Sequence, residues 1–418
     1  MRWLDRPHDW SDAANIVISQ DFLPQIGGAH TWLYESYKRW SSPVQVLTKR
    51  YSEVAQIADS ERDFDRQDHD SLEILRQIPP PGELSLIRRA CLKSYIRQLR
   101  CVQRLAGAKP VILHCLRAFP EGFAGALYKL LHPHSAMLVV YAHGEEVLIA
   151  KTSRQLEWMA KRAYSTADLI IVNSESTRNL VTQLCPNARV VCVHPGVNAS
   201  NFLIPPADVA NYRESWGWPP DTVVLSTLAR MEPRKNHGMG IRVLQKLRSE
   251  GLPLAFVCAG EGEERARLTK MVTDLGLQEW SRFPGAIPER EKGFLLAASD
   301  IFAMPSIQVG EMIEGFGMVF LEASAAGVPV VCGNTGGQPE AVLDMETGIV
   351  VNGEDLDEVA AAVRNLTVNA DLRSTMGARG RQWAAEHSWD QVVERTRRAI
   401  QEALNGLHRG VAMSDPGR

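Results

Sequence analysis

Two clusters of residues in this 418-residue chain have the types and spacing to do chemistry, and several weaker signals surround them. The densest is Glu314-Gly-Phe-Gly-Met-Val-Phe-Leu-Glu322, in which two carboxylates bracket a glycine-rich turn that opens a helical pattern. Backbone N–H groups at a helix N-terminus, unshielded by a Cβ, can approach an anionic or hydroxyl-rich ligand. Glu322, two turns on, can accept hydrogen bonds from a diol. The same letters also describe a plain glycine turn with two solvated glutamates. The second cluster, Arg230-Met-Glu-Pro-Arg-Lys235, follows an apolar run and puts three cations just before a helix. Arginine grips two phosphate oxygens at once, and lysine acts as a point charge. A departing diphosphate needs such neutralisation as its charge develops. In isolation, a solvated basic loop would look the same.

The weaker signals also follow apolar runs. Gly27-Gly28 can present N–H groups to a phosphate, or can simply form a tight turn. Gly336-Gly337-Gln-Pro-Glu340 has the same ambiguity. His143, in His143-Gly144-Glu145-Glu146, sits where a histidine can face a ligand, or can be structural. The other histidines and the cysteines show no metal spacing and there is no HExxH, so no metal and no bound cofactor are expected. Gly260-Glu-Gly262 looks like a dinucleotide fingerprint, but Arg265 stands where the third glycine belongs.

Elements must position these groups. Short apolar, β-branched runs occur at 15–18, 44–47, 111–114, 137–141, 169–172 and 189–193, and again at 223–227, 254–258, 301–304, 328–332 and 348–351. Helical patterns separate them, among others at 33–40, 156–165, 239–248 and 356–366. Runs apolar on both faces and separated by helices predict parallel strands covered on both sides. Two such series predict an α/β chain with two doubly wound domains, as its length also requires. Pro195, Pro205, Pro206, Pro219 and Pro220 predict a linker over 195–220. Ligands of doubly wound sheets bind beyond the carboxyl ends of the strands, so two facing domains predict a cleft.

A 45% apolar and 23% charged composition is that of a globular protein. A net charge of −3 argues against nucleic acid as a partner and leaves membrane contact to a local patch. Seven scattered cysteines without a CxxC pair predict reduced, mostly buried thiols. The first ten residues lack the apolar core of a signal peptide, and no run is long enough to span a bilayer, so a cytoplasmic location is expected. Residues 86–106 contain Arg88, Arg89, Lys93, Arg97, Arg100 and Arg104 and no acid. Lys93, Arg97, Arg100 and Arg104 share one helical stripe, with Leu92, Tyr95, Ile96, Leu99 and Val102 on another face. Such a helix can lie on an anionic membrane, or pack on the sheet with its basic face in solvent. A final helix is predicted over 383–407, with Trp389 as a candidate anchor.

Taken in order and spacing, these motifs resemble the retaining glycosyltransferases of family 4, which have the two-domain GT-B fold with Rossmann-like halves. The matching pieces are 22–28, His143-Gly144, Asn173-Ser174, His194-Pro195-Gly196-Val197, Arg230 with Lys235, Glu314 through Glu322, and Gly336 through Glu340. Within the family, Gly315 through Val331 and Gly336 through Glu340 look most like the bacterial phosphatidylinositol mannosyltransferases and their relatives. The resemblance implies an acceptor domain at 1–198, a nucleotide-sugar domain at 199–386 and a C-terminal helix, 387–418, returning to the first. Arg230 and Lys235 would hold the donor diphosphate, with Gly27 and Gly28 contacting phosphate from the other domain. Glu322 would bind the ribose. Glu314 with Gly315, Phe316 and Gly317 would bind the sugar hydroxyls, and His143 would sit beside the anomeric carbon. Gly285, Ala286 and Ile287 would receive the base. His30 departs from the small or apolar residue of many relatives and becomes a candidate for the acceptor. Glu311 and Met312 are candidates for shaping the donor pocket.

The implied reaction is metal-independent hexosyl transfer from GDP-mannose or a UDP-sugar to a saccharide or lipid-linked acceptor, with peripheral contact to an anionic membrane. Double displacement would need a carboxylate nucleophile. Glu314 and Glu322 already have other roles, so front-face substitution assisted by the leaving diphosphate is expected. A phosphorylase- or epimerase-like activity is the nearer alternative. A non-catalytic sugar-nucleotide sensor is another, although it could dispense with His143 and the Gly27-Gly28 loop.

Overall fold

The computed structural model describes residues 10–24, 27–78 and 89–413, with 89–92 and 407–413 described by backbone alone. The N-terminal segment 1–9, Gln25, Ile26, Arg88 and the side chains of Arg89, Cys91 and Leu92 therefore lie outside the described residues. The chain forms two compact units, Met1–His194 with Asp390–Arg418, and Pro195–Trp389.

Unit 1 holds a seven-stranded parallel sheet of β1 (Ala14–Ile18), β2 (Val44–Lys49), β3 (Leu72–Ile78), β4 (Val111–Cys115), β5 (Ala136–Ala142), β6 (Leu169–Val172) and β7 (Val190–Cys192), in the order β3-β2-β1-β4-β5-β6-β7. Unit 2 holds six parallel strands, β8 (Val223–Leu228), β9 (Leu254–Ala259), β10 (Ser281–Gly285), β11 (Ile301–Met304), β12 (Val330–Gly333) and β13 (Gly348–Val351), in the order β10-β9-β8-β11-β12-β13. The central strands are buried along their whole length, as a sheet covered by helices on both faces requires. In each sheet the order reverses once, between β1 and β4 and between β8 and β11. Chain leaving the carboxyl ends of these two pairs is splayed to opposite sides, which opens the crevice where ligands of such sheets bind.

Two strands escape the apolar-run criterion, and both are edges. β3 carries Glu73, Arg76 and Gln77, and β10 carries Arg282 and Pro284, residues an edge tolerates and a central strand does not. The predicted linker at 195–220 is corrected. It contains a short 3-10 turn, Ala199–Phe202, and the helix Pro206–Glu214, all within unit 2. Pro206 stands in that helix's first turn, where its missing N–H costs nothing. The single helix expected over 383–407 is two: Ala370–Ala385, which contains Trp383, and Trp389–Met413. Trp389 is buried against Gly196, where a Cβ would come within 3.0 Å of its ring.

No disulfide joins the described cysteines, and Cys101, Cys115, Cys258 and Cys332 are buried. No helix among the described residues is long and apolar enough to cross a membrane.

Candidate functional site

In unit 2 the site is built at the sheet's switch point. The segment leaving β8 is laced to the one leaving β9, with Ala229 N–H donating to Ala259 O (3.1 Å) and Met231 N–H to Glu261 O (2.8 Å). The approach is so close that a Cβ on Gly260 would lie 1.9 Å from Ala229 O, with φ at +135°. Gly260-Glu-Gly262 is thus a packing device for the Arg230 loop. A 3-10 turn, Pro233–Lys235, follows, and Asn236, left-handed at φ 55°, pins it by donating from Nδ2 to Pro305 O (3.2 Å) and Gly353 O (2.8 Å).

That turn sends Arg234 and Lys235 inward. Arg234 Nη1 donates to Glu314 Oε2 at 3.0 Å, and Lys235 Nζ donates to the same oxygen. All three residues are buried. Burial alone would push the Glu314 carboxyl up, but the two cations outweigh it and hold it below the ordinary value. Burial depresses the Lys235 ammonium, with Glu314 opposing. Arg230 differs, with a largely exposed side chain whose Nη1 lies 2.7 Å from Glu232 Oε1. Arg230 and Lys235 are therefore not equivalent. Arg234, passed over in the sequence, is the residue that shares Lys235's carboxylate. Its place in the basic cluster is the one signal it offers.

Gly317, at φ +89°, precedes the helix Met318–Ala326, and the Phe320 ring fills the space a Cβ would need, 2.3 Å away. No side chain caps this helix, so Gly315, the buried Phe316 and Gly317 deliver the backbone of its first turn to the Glu314 region. Glu322 lies one face along, with Lys292 Nζ 3.6 Å from its Oε1. Burial raises the Glu322 carboxyl and Lys292 only partly offsets this. Lys292 has no motif and is legible only in the tertiary structure. Ahead of Glu314, Val309 and Met312 exchange backbone hydrogen bonds (3.1 and 3.0 Å) around Gly310 and Glu311. Gly285 O accepts from Gly260 N–H at 2.7 Å, which brings Gly285, Ala286 and Ile287 beside the Arg230 loop.

The Gly336 motif packs under Glu314. Gly337 N–H donates to Glu314 O (2.9 Å), and a Cβ on Gly336 would lie 2.2 Å from that oxygen. Within the motif Gln338 is a clamp. Its Oε1 accepts from Ser306 N–H and Gly333 N–H (both 3.0 Å), while Nε2 donates to Ser306 O (3.0 Å). The loops after β11 and β12 are locked together by this one side chain.

In unit 1 the loops after β1, β4 and β5 converge. Gln20 N–H donates to the buried Glu121 Oε1 at 2.8 Å, across the β1/β4 switch point. His143 leaves β5. Its Nε2–H donates to Leu116 O (3.0 Å), so Nδ1 keeps its lone pair, and its own N–H donates to Glu146 Oε1 (2.7 Å). Burial first, then the Arg117 charge, depress the imidazole to about 3, so it is neutral at pH 7. A neutral ring with Nδ1 as acceptor can take a hydroxyl proton in a hydrogen bond. Arg117, absent from the sequence expectations, is the cation whose charge reaches Asp21, Glu121, His143 and Glu146 together. Gly27 and Gly28 open the helix Gly28–Tyr37. His30, in its first turn, is buried, and a Cβ on Gly27 would lie 3.0 Å from His30 Nδ1. Asn173 Nδ2 donates to His143 O (3.3 Å), while Ser174 caps the helix Glu175–Leu184.

The basic helix, Arg89–Ala106, is set apart from these loops. Tyr95, Gln98 and Val102 are buried, and Tyr95 meets Phe123 edge-on at 5.4 Å. Lys93, Arg97, Arg100 and Arg104 are exposed, with Arg104 donating to Gln77 of β3. Ile96, expected on the apolar face, is exposed among the basic residues.

Comparison with known proteins agrees with this architecture. Residues 26–201 match the family described as Glycosyltransferase Family 4, and 208–383 match Glycosyl transferases group 1. The chain is 37% identical over 278 residues to a GDP-mannose-dependent alpha-(1-6)-phosphatidylinositol monomannoside mannosyltransferase of Mycolicibacterium smegmatis, covering 64% of this chain and 70% of that one. It is 26% identical over 391 residues to a GDP-mannose-dependent monoacylated alpha-(1-6)-phosphatidylinositol monomannoside mannosyltransferase of Corynebacterium glutamicum, covering 92% and 97%. Among solved structures, Anabaena HepE in complex with UDP and glucose superimposes with a TM-score of 0.75 at 19% identity, covering 93% of this chain and all of that one, which speaks to the fold. With two parallel-sheet units, both family regions and these relatives, the chain belongs to the family 4 glycosyltransferases of GT-B fold, enzymes that act on nucleotide sugars, and is similar to the phosphatidylinositol mannosyltransferases among them.

Proposed function

We propose that this glycosyltransferase uses GDP-mannose and transfers mannose, with retention, to an inositol-phosphate-bearing lipid. The convergence of Arg234 and Lys235 on Glu314 at the β8/β11 switch point is the observation that carries the donor half. It supplies preorganised positive charge for a leaving diphosphate without a metal ion. Arg230, exposed at the same loop, adds a second contact for it. Glu322 with Lys292 takes the ribose, and the backbone around Gly285 takes the base. In unit 1, neutral His143 offers Nδ1 to a hydroxyl, and the Gly27-Gly28 turn offers backbone N–H groups to phosphate. Departure of the diphosphate on the face from which the acceptor attacks lets it receive the acceptor's proton.

The GDP-mannose-dependent relatives support the donor and the lipid acceptor. The exposed stripe of Lys93, Arg97 and Arg100 with Ile96 supports peripheral contact with an anionic, cytoplasm-facing leaflet. A second reading, with a free inositol phosphate as acceptor, has support in a D-inositol 3-phosphate glycosyltransferase of Corynebacterium jeikeium, 33% identical over 255 residues. The test is a melting-temperature panel of GDP-mannose, UDP-glucose and UDP-N-acetylglucosamine, followed by product analysis with each acceptor. GDP-mannose should raise the melting temperature most and mannosylate the lipid. Isomerised donor in the absence of acceptor would turn the assignment toward an epimerase.

A further inference from the structure

Unit 1 carries a groove of about 560 Å³ apart from the loops described above. It runs between the helix Arg154–Thr166 and the turn that enters β7, and Trp158, Lys161, Arg162, Tyr164, Cys185 and Arg189 line it. Three of these are cations. Lys161 is paired with Glu157 (2.6 Å), and Arg189 donates to Glu402 O at 3.4 Å. Arg162 makes no ion pair among the described residues. Among the described residues, Glu157 is thus the one carboxylate paired with these cations, and the groove carries excess positive charge.

A second observation is independent of the charge. The half-exposed Trp158 contributes a flat apolar wall to the same groove.

We propose that this groove binds an organic phosphate, with the phosphoryl group toward Arg162 and Arg189 and its apolar substituent against Trp158. Two guanidinium forks and an ammonium offer more donors than one carboxylate can accept, and a phosphoryl group's oxygens match them. The site is separate from sugar transfer and does not depend on the donor or acceptor assigned above.

Calorimetric titration of the full chain with hexyl phosphate, inorganic phosphate and vesicles of phosphatidylcholine with phosphatidic acid tests it. Hexyl phosphate should bind at least about tenfold more tightly than inorganic phosphate, and Arg162→Gln with Arg189→Gln should weaken it at least about tenfold. Both arginines are exposed, so the double variant should keep the wild-type melting temperature. Binding to vesicles alone, lost in the double variant, would assign the phosphate to a lipid headgroup, and binding of the soluble ester would assign it to a free metabolite. No binding in either format, or equal binding by wild type and variants, overturns the proposal.

Discussion

Arg234 and Glu314 stand 80 positions apart in sequence, yet Nη1 of one donates to Oε2 of the other at 3.0 Å. Lys235 reaches the same oxygen from the adjacent position. The carboxylate holds two cations together that would otherwise repel, and aims them at the switch point of the unit 2 sheet.

If those cations and Arg230 stabilise a leaving diphosphate, their loss should appear in turnover. Lys235→Ala and Arg230→Ala should each lower kcat by about 10²–10³, the usual effect of deleting one preorganised transition-state contact. Steady-state kinetics with saturating donor decides it. Normal kcat with a raised KM in both variants would mean ground-state binding alone.

Glu314→Gln should be costly to the fold as well. It leaves Arg234 and Lys235 buried without their shared anion, and breaking one side of a buried pair costs about 3–5 kcal/mol. Urea unfolding should show that loss. The charge pair also has an acid limit. The Glu314 carboxyl is held below its ordinary value, so its stabilisation is complete above about pH 4.5 and disappears as pH falls through the lower, folded-state value.

Gly336→Ala should loosen the donor site from beneath. The position has φ +64°, and the new Cβ would lie 2.2 Å from Glu314 O. A strained backbone of this kind costs about 1–3 kcal/mol. We expect that loss in urea unfolding together with a raised KM for donor. An unchanged KM would separate the Gly336 turn from the donor site.

His114 and His143 are both depressed to about 3, chiefly by burial. The unfolded chain therefore binds more protons than the folded one between pH 3 and pH 6.5. The contribution of these two histidines to stability is fully present above pH 6.5 and is lost as pH drops below it, by up to about 1.4 kcal/mol per pH unit for each histidine. His143→Gln should flatten the fall of melting temperature between pH 6.5 and pH 4. An unchanged slope would show that His143 takes up its proton in the fold as readily as in the unfolded chain.

Lys93→Gln, Arg97→Gln and Arg100→Gln together should release the protein from anionic vesicles. Each basic residue near such a surface is worth about 1 kcal/mol, so the triple variant should lose roughly a hundredfold in partitioning at low salt. Flotation reads this directly, and unchanged flotation would remove the basic stripe from any membrane role.

Apolar runs separated by helical periods were enough to predict two doubly wound α/β units, because strands buried on both faces must be apolar throughout. The basic cluster at 230–235, the Glu314–Glu322 segment and His143 were equally visible, since each follows such a run. The edge strands β3 and β10 were not, because half-exposed strands carry charge and proline that break the signal. Nor did local spacing distinguish Arg234 from Arg230, or mark Arg117 and Lys292. Which cation turns inward depends on the 3-10 turn at Pro233–Lys235 and on a carboxylate from another strand's loop. Chain order determines what leaves each strand. Which of those loops meet is decided by sheet order, and sheet order exists only once the strands have paired.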